Sequence, residues 1–221
     1  MAQDGFFITF EGSEGCGKST QISRLAARLR GAGREMIQLR EPGGTPVGER
    51  IRDLLQYDVT ASGMTAEAEL LLFAASRAQL VREVIRPALA RGVIVLCDRF
   101  LDSTTVYQGV ARQLEAGQVG RINDFAVDGT LPDLTLLLDL DAAEGRRRAS
   151  ARKGPVDRME QEQEVFYEAV RRGFLQLARD NPSRIKLIDG SADEESVGIA
   201  VAAAVGERLG YEIGGGDDGI H

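Results

Sequence analysis

The chain has 221 residues, 43% apolar and 28% charged, which suits one α/β domain with enough apolar material to cover a sheet on both faces. A formal net charge of −7 argues against non-specific binding to a nucleic-acid polymer, which needs a basic footprint, and no apolar run approaches the roughly 20 residues that cross a bilayer. The only histidine is His221 and the cysteines are Cys16 and Cys97, so a histidine triad, a His-ligated zinc site and a disulfide framework are all disfavoured. The start, Met1-Ala2-Gln3-Asp4, lacks the basic and then apolar pattern of a secretion signal. The expected compartment is the cytoplasm.

In chain order, Phe6-Phe7-Ile8-Thr9-Phe10 reads as a strand, and Gly-rich sequence leads into a helix from Ser19 to about Arg30, closed by Gly31 and Gly33. Met36-Ile37-Gln38-Leu39 is a second strand and Glu41-Pro42-Gly43-Gly44-Thr45-Pro46 a loop. A helix follows over 47–56. Thr65 can cap a long helix over roughly 66–90, which Pro87 kinks or closes. Val93-Ile94-Val95-Leu96-Cys97, Leu134-Thr135-Leu136-Leu137-Leu138 and Ile185-Lys186-Leu187-Ile188 are apolar runs of the kind found in parallel sheets covered on both faces. A last helix spans about 193–209. Alternating strands and helices imply a doubly wound α/β sheet, and the glycines of 214–219 cannot pack.

Gly12-Ser13-Glu14-Gly15-Cys16-Gly17-Lys18-Ser19 matches G-x-x-x-x-G-K-[ST], between a strand and a helix. Glycines let backbone N–H groups wrap closely around phosphate oxygens, and the following helix turns its positive end to the same anion. Lys18 can reach the β and γ phosphates, the Ser19 hydroxyl can ligate Mg²⁺, and Thr20 completes the nucleotide-binding set. The base-reading N-K-x-D motif of GTPases is absent: the asparagines are Asn123 and Asn181, and no lysine follows either. Asp98-Arg99-Phe100 follows a strand, at the end where an open parallel sheet binds ligands. There Asp98 can hold a water on Mg²⁺ and Arg99 can grip a phosphate.

These motifs, with Arg40-Glu41-Pro42-Gly43-Gly44-Thr45, Ser103-Thr104, Tyr107-Gln108-Gly109, Leu131-Pro132-Asp133-Leu134 and Asp157-Arg158-Met159-Glu160, resemble those of bacterial thymidylate kinases over about residues 6–190. The resemblance implies a P-loop fold with five parallel strands flanked by helices, as one domain over 1–211. A mobile lid would occupy about 146–160 and an unpacked tail 212–221. It implies transfer of the γ-phosphoryl group of ATP to dTMP with Mg²⁺, by a homodimer whose interface uses long helices such as 66–90. A kinase of the same fold acting on another nucleoside monophosphate is the rival reading.

Residue by residue, the resemblance implies that Phe73 and Arg77 contact thymine. Spacing alone, which puts both on one helix face, favours a core Phe with a snorkelling Arg. It implies that Ser103, Tyr107 and Gln108 line the nucleoside pocket, the Tyr107 ring filtering for deoxyribose, and that Glu14 meets the sugar 3′-hydroxyl. Arg40 and its loop would close over the acceptor phosphate; eukaryotic members have an arginine where this chain has Gly43. Of the basic cluster Arg146, Arg147, Arg148, Arg152, Lys153 and Arg158, the resemblance implies a lid arginine that stabilises the transferring group, assigned to Arg152, with Arg148 and Arg158 next. Lys18, Arg99, Arg152 and Glu14 thus form the expected catalytic set.

Overall fold

The computed structural model describes residues 5–58, 61, 63–151 and 162–213. Strand β1 (Phe6–Glu11) runs into the Gly-rich loop and helix α1 (Lys18–Gly31), then β2 (Met36–Arg40) and α2 (Pro46–Gln56). Helix α3 (Ala66–Leu80) passes through a π turn (Val81–Ile85) into α4 (Arg86–Ala90), followed by β3 (Ile94–Asp98). Helix α5 (Leu101–Thr104) continues as a second π segment (Thr105–Ala111). Then come α6 (Ala116–Val127), β4 (Leu134–Asp139), α7 (Ala142–Ser150), α8 (Glu164–Asp180), β5 (Ile185–Asp189) and α9 (Glu194–Leu209). The strands form one sheet in the order β2-β3-β1-β4-β5, every pair parallel. This is the doubly wound five-stranded sheet expected from the sequence.

Strand alternation divides the core. Ile8 and Phe10 point to one face, where Ile22, Leu25 and Leu29 of α1 and Val201 and Val205 of α9 cover them. Phe7 points to the other, against Val95, Leu80, Ile85 and Phe100. A third cluster, with Leu137, Val170 and Phe174, carries that second face on toward β5. Each such side chain withdrawn from water contributes about 1.5–3 kcal/mol.

The expected long helix over 66–90 is a continuous run, capped by Thr65 Oγ1, which accepts the Ala68 N–H. The proline signal appears as the π turn. Pro87 has no N–H for the carbonyl of Glu83, and its ring would crowd that carbonyl. The wider turn, closed by the Arg86 N–H on the Val81 carbonyl, lets the helix pass the proline.

Helices α5 to α8, with the second π segment, had no counterpart among the helices read from the sequence. Helix α6 contains Gly117 and Gly120 and is capped by Glu115, whose carboxylate accepts the Gly117 and Gln118 N–H groups; neither feature signals a helix. Helix α8 did carry a signal: Phe166, Val170, Phe174 and Leu177 recur at helical spacing and pack on the β4–β5 side. One expectation is corrected. Strand β5 is only partly covered, because it is the sheet edge: Ile185 is buried on one face and Ile188 on the other, while Lys186 and Leu187 are exposed. The packed body also extends past 211, since Ile213 is buried in the first core cluster; residues 214–221 lie outside the described residues. No described helix is long and apolar enough to cross a membrane.

The edge position predicts a contrast. Leu96→Ala, in the middle of the sheet, should cost about 2–5 kcal/mol of stability, and Leu187→Ala less than about 1 kcal/mol. Denaturant midpoints of the two variants measure both.

Candidate active site

Parallel pairing delivers the carboxyl ends of β1, β2 and β3 to one edge of the sheet, and the chemistry-bearing loops all leave from there. They surround a cleft of about 630 Å³, a size suited to small-molecule ligands. The loop after β1 is fixed by backbone contacts that leave no room for a side chain. Gly12 has φ 134°, and a Cβ on it would stand 2.4 Å from the Leu138 carbonyl. Gly15 has φ 73°, and its Cβ would fall 2.1 Å from the Gly145 carbonyl of α7. Helix α1 begins at Lys18 with no side-chain cap, so its first amides are left for an anion. The Lys18 ammonium donates to the carbonyls of Gly12 (3.0 Å) and Ser13 (2.9 Å). Ser19 Oγ donates to Asp98 Oδ2 at 3.1 Å, and Asp98 Oδ1 is buried without a hydrogen-bond partner. Lys18, Ser19, Thr20, Cys16 and Asp98 all line the cleft.

Arg99 has a left-handed backbone, φ 68°, held by its N–H on the Phe10 carbonyl at 2.9 Å. Its guanidinium ion-pairs with Glu14, donates to Ser103 Oγ and the Gly12 carbonyl, each at 3.1 Å, and lies 5.1 Å over the Tyr107 ring. Beneath it Glu11, with no solvent exposure, accepts the N–H groups of Phe100 (2.8 Å) and Ser103 (3.2 Å) and the Ser103 hydroxyl (2.6 Å). Burial, and then the nearby Asp102 carboxylate, push the Glu11 carboxyl up to about 7, against the opposing pull of Arg99 and these hydrogen bonds. Asp102 is itself held by a two-pronged ion pair with Arg184.

The opposite wall is the α3 face with the start of the second π segment. Phe73, Arg77, Tyr107 and Gln108 reach the cleft together. Arg77, however, is 1% exposed, and four of its five N–H donors are taken. Nε (2.8 Å) and Nη2 (2.6 Å) meet Glu41 Oε2, Nη2 also meets the Phe100 carbonyl, and Nη1 meets Asn123 Oδ1. Burial raises the Glu41 carboxyl, with Arg77 opposing. Gln108 is tied to buried Glu69 at 2.8 Å. Tyr107 both belongs to the third core cluster and lines the cleft. Ser103 turns its hydroxyl to Glu11 and Arg99. Arg40 stands half-exposed at the rim, paired with Glu49 at 2.8 Å.

The described start of the expected lid segment is ordinary helix. Arg147 and Arg148 close on Glu144, whose carboxyl their hydrogen bonds hold down at about 2. Arg146 lies over the Tyr167 ring. Arg148 alone of the three lines the cleft, and it donates to the Gly190 carbonyl at 3.2 Å. Arg152, Lys153 and Arg158 lie outside the described residues.

A family model described as thymidylate kinase matches residues 10–200. The chain belongs to the thymidylate kinase family. It is 50% identical to a thymidylate kinase of Geobacter sulfurreducens over 210 residues, covering 93% of this chain and 98% of that one. Against a thymidylate kinase of Deinococcus radiodurans the identity is 49% over 204 residues, covering 92% and 98%. The crystal structure of a thymidylate kinase from Ehrlichia chaffeensis superposes with a TM-score of 0.72 at 35% identity, covering 91% of this chain and 98% of that chain. The activity is that of a thymidylate kinase, transfer of a phosphoryl group from ATP to dTMP, and the rival acceptors weighed from sequence fall away.

Several residues in or beneath this thymidylate kinase cleft escaped the sequence reading. Glu41 stood inside a motif quoted for its neighbours, and Glu11 fell between the strand ending at Phe10 and the loop starting at Gly12. Thr104 is buried at the cleft wall with its Oγ1 unpartnered, and it stood beside Ser103 in the sequence. Asn123 comes from α6, which carried no recognised signal.

The raised Glu11 carboxyl gives a pH prediction with a definite sign. Between about 4.5 and about 7 the folded state holds a proton there that the unfolded chain has lost. The stability Glu11 contributes is therefore complete below about 4.5 and lost as pH rises through about 7. Relative to Glu11→Gln, the wild type should lose stability on the order of a few kcal/mol across that window, read from denaturant midpoints at a series of pH values.

Proposed function

We propose that the triphosphate of ATP lies in the loop of residues 12–19 while dTMP docks opposite, between Phe73 and the Arg99–Tyr107 wall, for in-line transfer. The observation carrying this reading is one continuous cleft with the uncapped start of α1, Lys18 and the Ser19–Asp98 pair at one end and an aromatic and arginine wall at the other. Lys18, already turned toward the loop carbonyls, swings to the β and γ phosphates. Arg99 grips the acceptor phosphate, and Glu14 orients Arg99 and accepts the sugar 3′-hydroxyl. Phe73 stacks on thymine, Arg77 offers its remaining Nη1 hydrogen, and Gln108 lines the base pocket. The Tyr107 ring excludes a 2′-hydroxyl, and Arg40 stands over the acceptor phosphate from the rim.

Mg²⁺ fits Ser19 and Asp98. A hydroxyl, one carboxylate and the unpartnered Asp98 Oδ1 are the modest protein share expected of an ion held mainly by phosphates and water. When bound, it neutralises phosphate charge during transfer. The acceptor phosphate is already anionic at neutral pH, so positioning replaces a general base. We assign the lid arginine to Arg152, with Arg148, at the cleft wall, next, and the lid to about 146–160 of a single domain. A homodimer through the α3 and α6 side accounts for exposed Leu71 and Phe125, and cytoplasmic residence suits an ATP-dependent enzyme.

ADP release should be fastest with dTMP when it is compared with dUMP, dCMP, dGMP and AMP at equal concentration; equal rates would overturn the pocket assignment. Lys18→Ala should lose at least about 100-fold in kcat with an unchanged circular dichroism spectrum. Phe73→Ala should raise the KM for dTMP by roughly 5- to 100-fold, the worth of one base stack, and leave the KM for ATP unaltered.

A further inference from the structure

We infer that Glu11 is a positioning residue for phosphoryl transfer, clamping the 99–103 turn so that the Arg99 guanidinium is aimed into the cleft. The inference rests on the reading of Arg99 as the acceptor-phosphate clamp. All three hydrogen bonds that Glu11 accepts come from that turn: the Phe100 and Ser103 amides and the Ser103 hydroxyl. With its hydrogen given to Glu11 Oε2 at 2.6 Å, the Ser103 oxygen is left as an acceptor, and Arg99 Nη1 donates to it at 3.1 Å. The chain of contacts thus runs from carboxylate to hydroxyl to guanidinium.

The backbone needs the same clamp. Arg99 is a non-glycine residue in the left-handed region, a conformation costing on the order of 1–3 kcal/mol that persists only where its surroundings fix it. The Phe10 carbonyl fixes the turn on one side, by accepting the Arg99 N–H, and Glu11 fixes it on the other, by accepting the next amide. Phe100 begins α5 without offering a capping side chain, and Glu11, arriving from the neighbouring strand, supplies the missing acceptor. A fully buried carboxylate close to a second one, Asp102, is an expensive scaffold part. Its donors all belong to the turn that carries a phosphate-gripping arginine.

A double-mutant cycle tests this, because a residue that only stabilises the fold lowers activity whatever stands at position 99, whereas one that acts through Arg99 does not. Glu11→Gln should lower kcat/KM for dTMP on the order of 10- to 100-fold, the scale of a catalytic group displaced by about 1 Å, with the KM for ATP little changed. In an Arg99→Met background the same substitution should change kcat/KM by less than about 3-fold. Wild-type kinetics for Glu11→Gln, or equal losses in both backgrounds, would overturn the inference. Wild-type kinetics for Arg99→Met alone would instead overturn the reading of Arg99, and the inference with it. If circular dichroism shows Glu11→Gln unfolded, Ser103→Ala, which cuts the same chain at the hydroxyl, replaces it in the cycle with the same outcomes.

Discussion

The parallel pairing of β1 with β3 is the constraint on which the cleft depends. The ladder sets Phe10 opposite Asp98 and is extended one step by the Arg99 N–H on the Phe10 carbonyl. The phosphate loop and the Asp98-Arg99 turn are therefore locked side by side, although about ninety residues separate them in the chain. Shifting a strand by one residue would turn every side chain to the opposite face. Glu11 would leave the buried side under Ser103, and Asp98 would lose Ser19. The chain order supplies the space: from β1 the chain crosses over to β2 before returning to β3, and at such a reversal the loops diverge and open a crevice.

The second organising feature is the way the arginines are held. The chain is acidic overall, yet the cleft wall carries Arg77, Arg99 and Arg148, each restrained by acceptors from a different element: Glu41 and Asn123, Glu14 and Ser103, Glu144 and the Gly190 carbonyl. Below them, Arg184 closes on Asp102, and Arg171 closes on Asp139 to tie α8 to the end of β4. A guanidinium in a fixed fork of acceptors is already oriented when an anion arrives, and less of its side-chain entropy is left to lose on binding. The joint between Gly15 and Gly145, backbone against backbone, seats the Gly-rich loop on the first turns of α7.

How far the sequence could be read follows from how local each signal is. The phosphate loop was legible because glycines, a lysine and a serine at fixed spacing, between a strand and a helix, admit few other uses. The strands were legible because buried parallel strands are short apolar runs. Strand β5 shows the limit of that rule: its composition is that of a buried strand, and only its place at the edge exposes Leu187. Pro87 announced an irregularity but could not say that the helix would widen into a π turn and continue. Arg77 and Phe73 were found on one helix face, yet the acceptors that occupy Arg77 are a carboxylate from the loop after β2 and an amide oxygen from α6, which no local pattern links.

Taken alone, the chain's residues determined the class of fold, the succession of strands, the helices over 19–30, 47–56, 66–90 and 193–209 and the Gly-rich loop, because these follow from short-range periodicity, turn chemistry and backbone freedom. Motifs compared with a family's added the acceptor. Only the tertiary structure decided which partners the charged groups take: Glu11 under the Arg99 turn, Glu41 around Arg77, Asp102 on Arg184, Ser19 on Asp98. The physical reason is that burial and electrostatic pairing depend on distance in space. Strand register, helix crossing and the depth of a side chain below the surface set that distance, and none of them is encoded in any window of neighbouring residues.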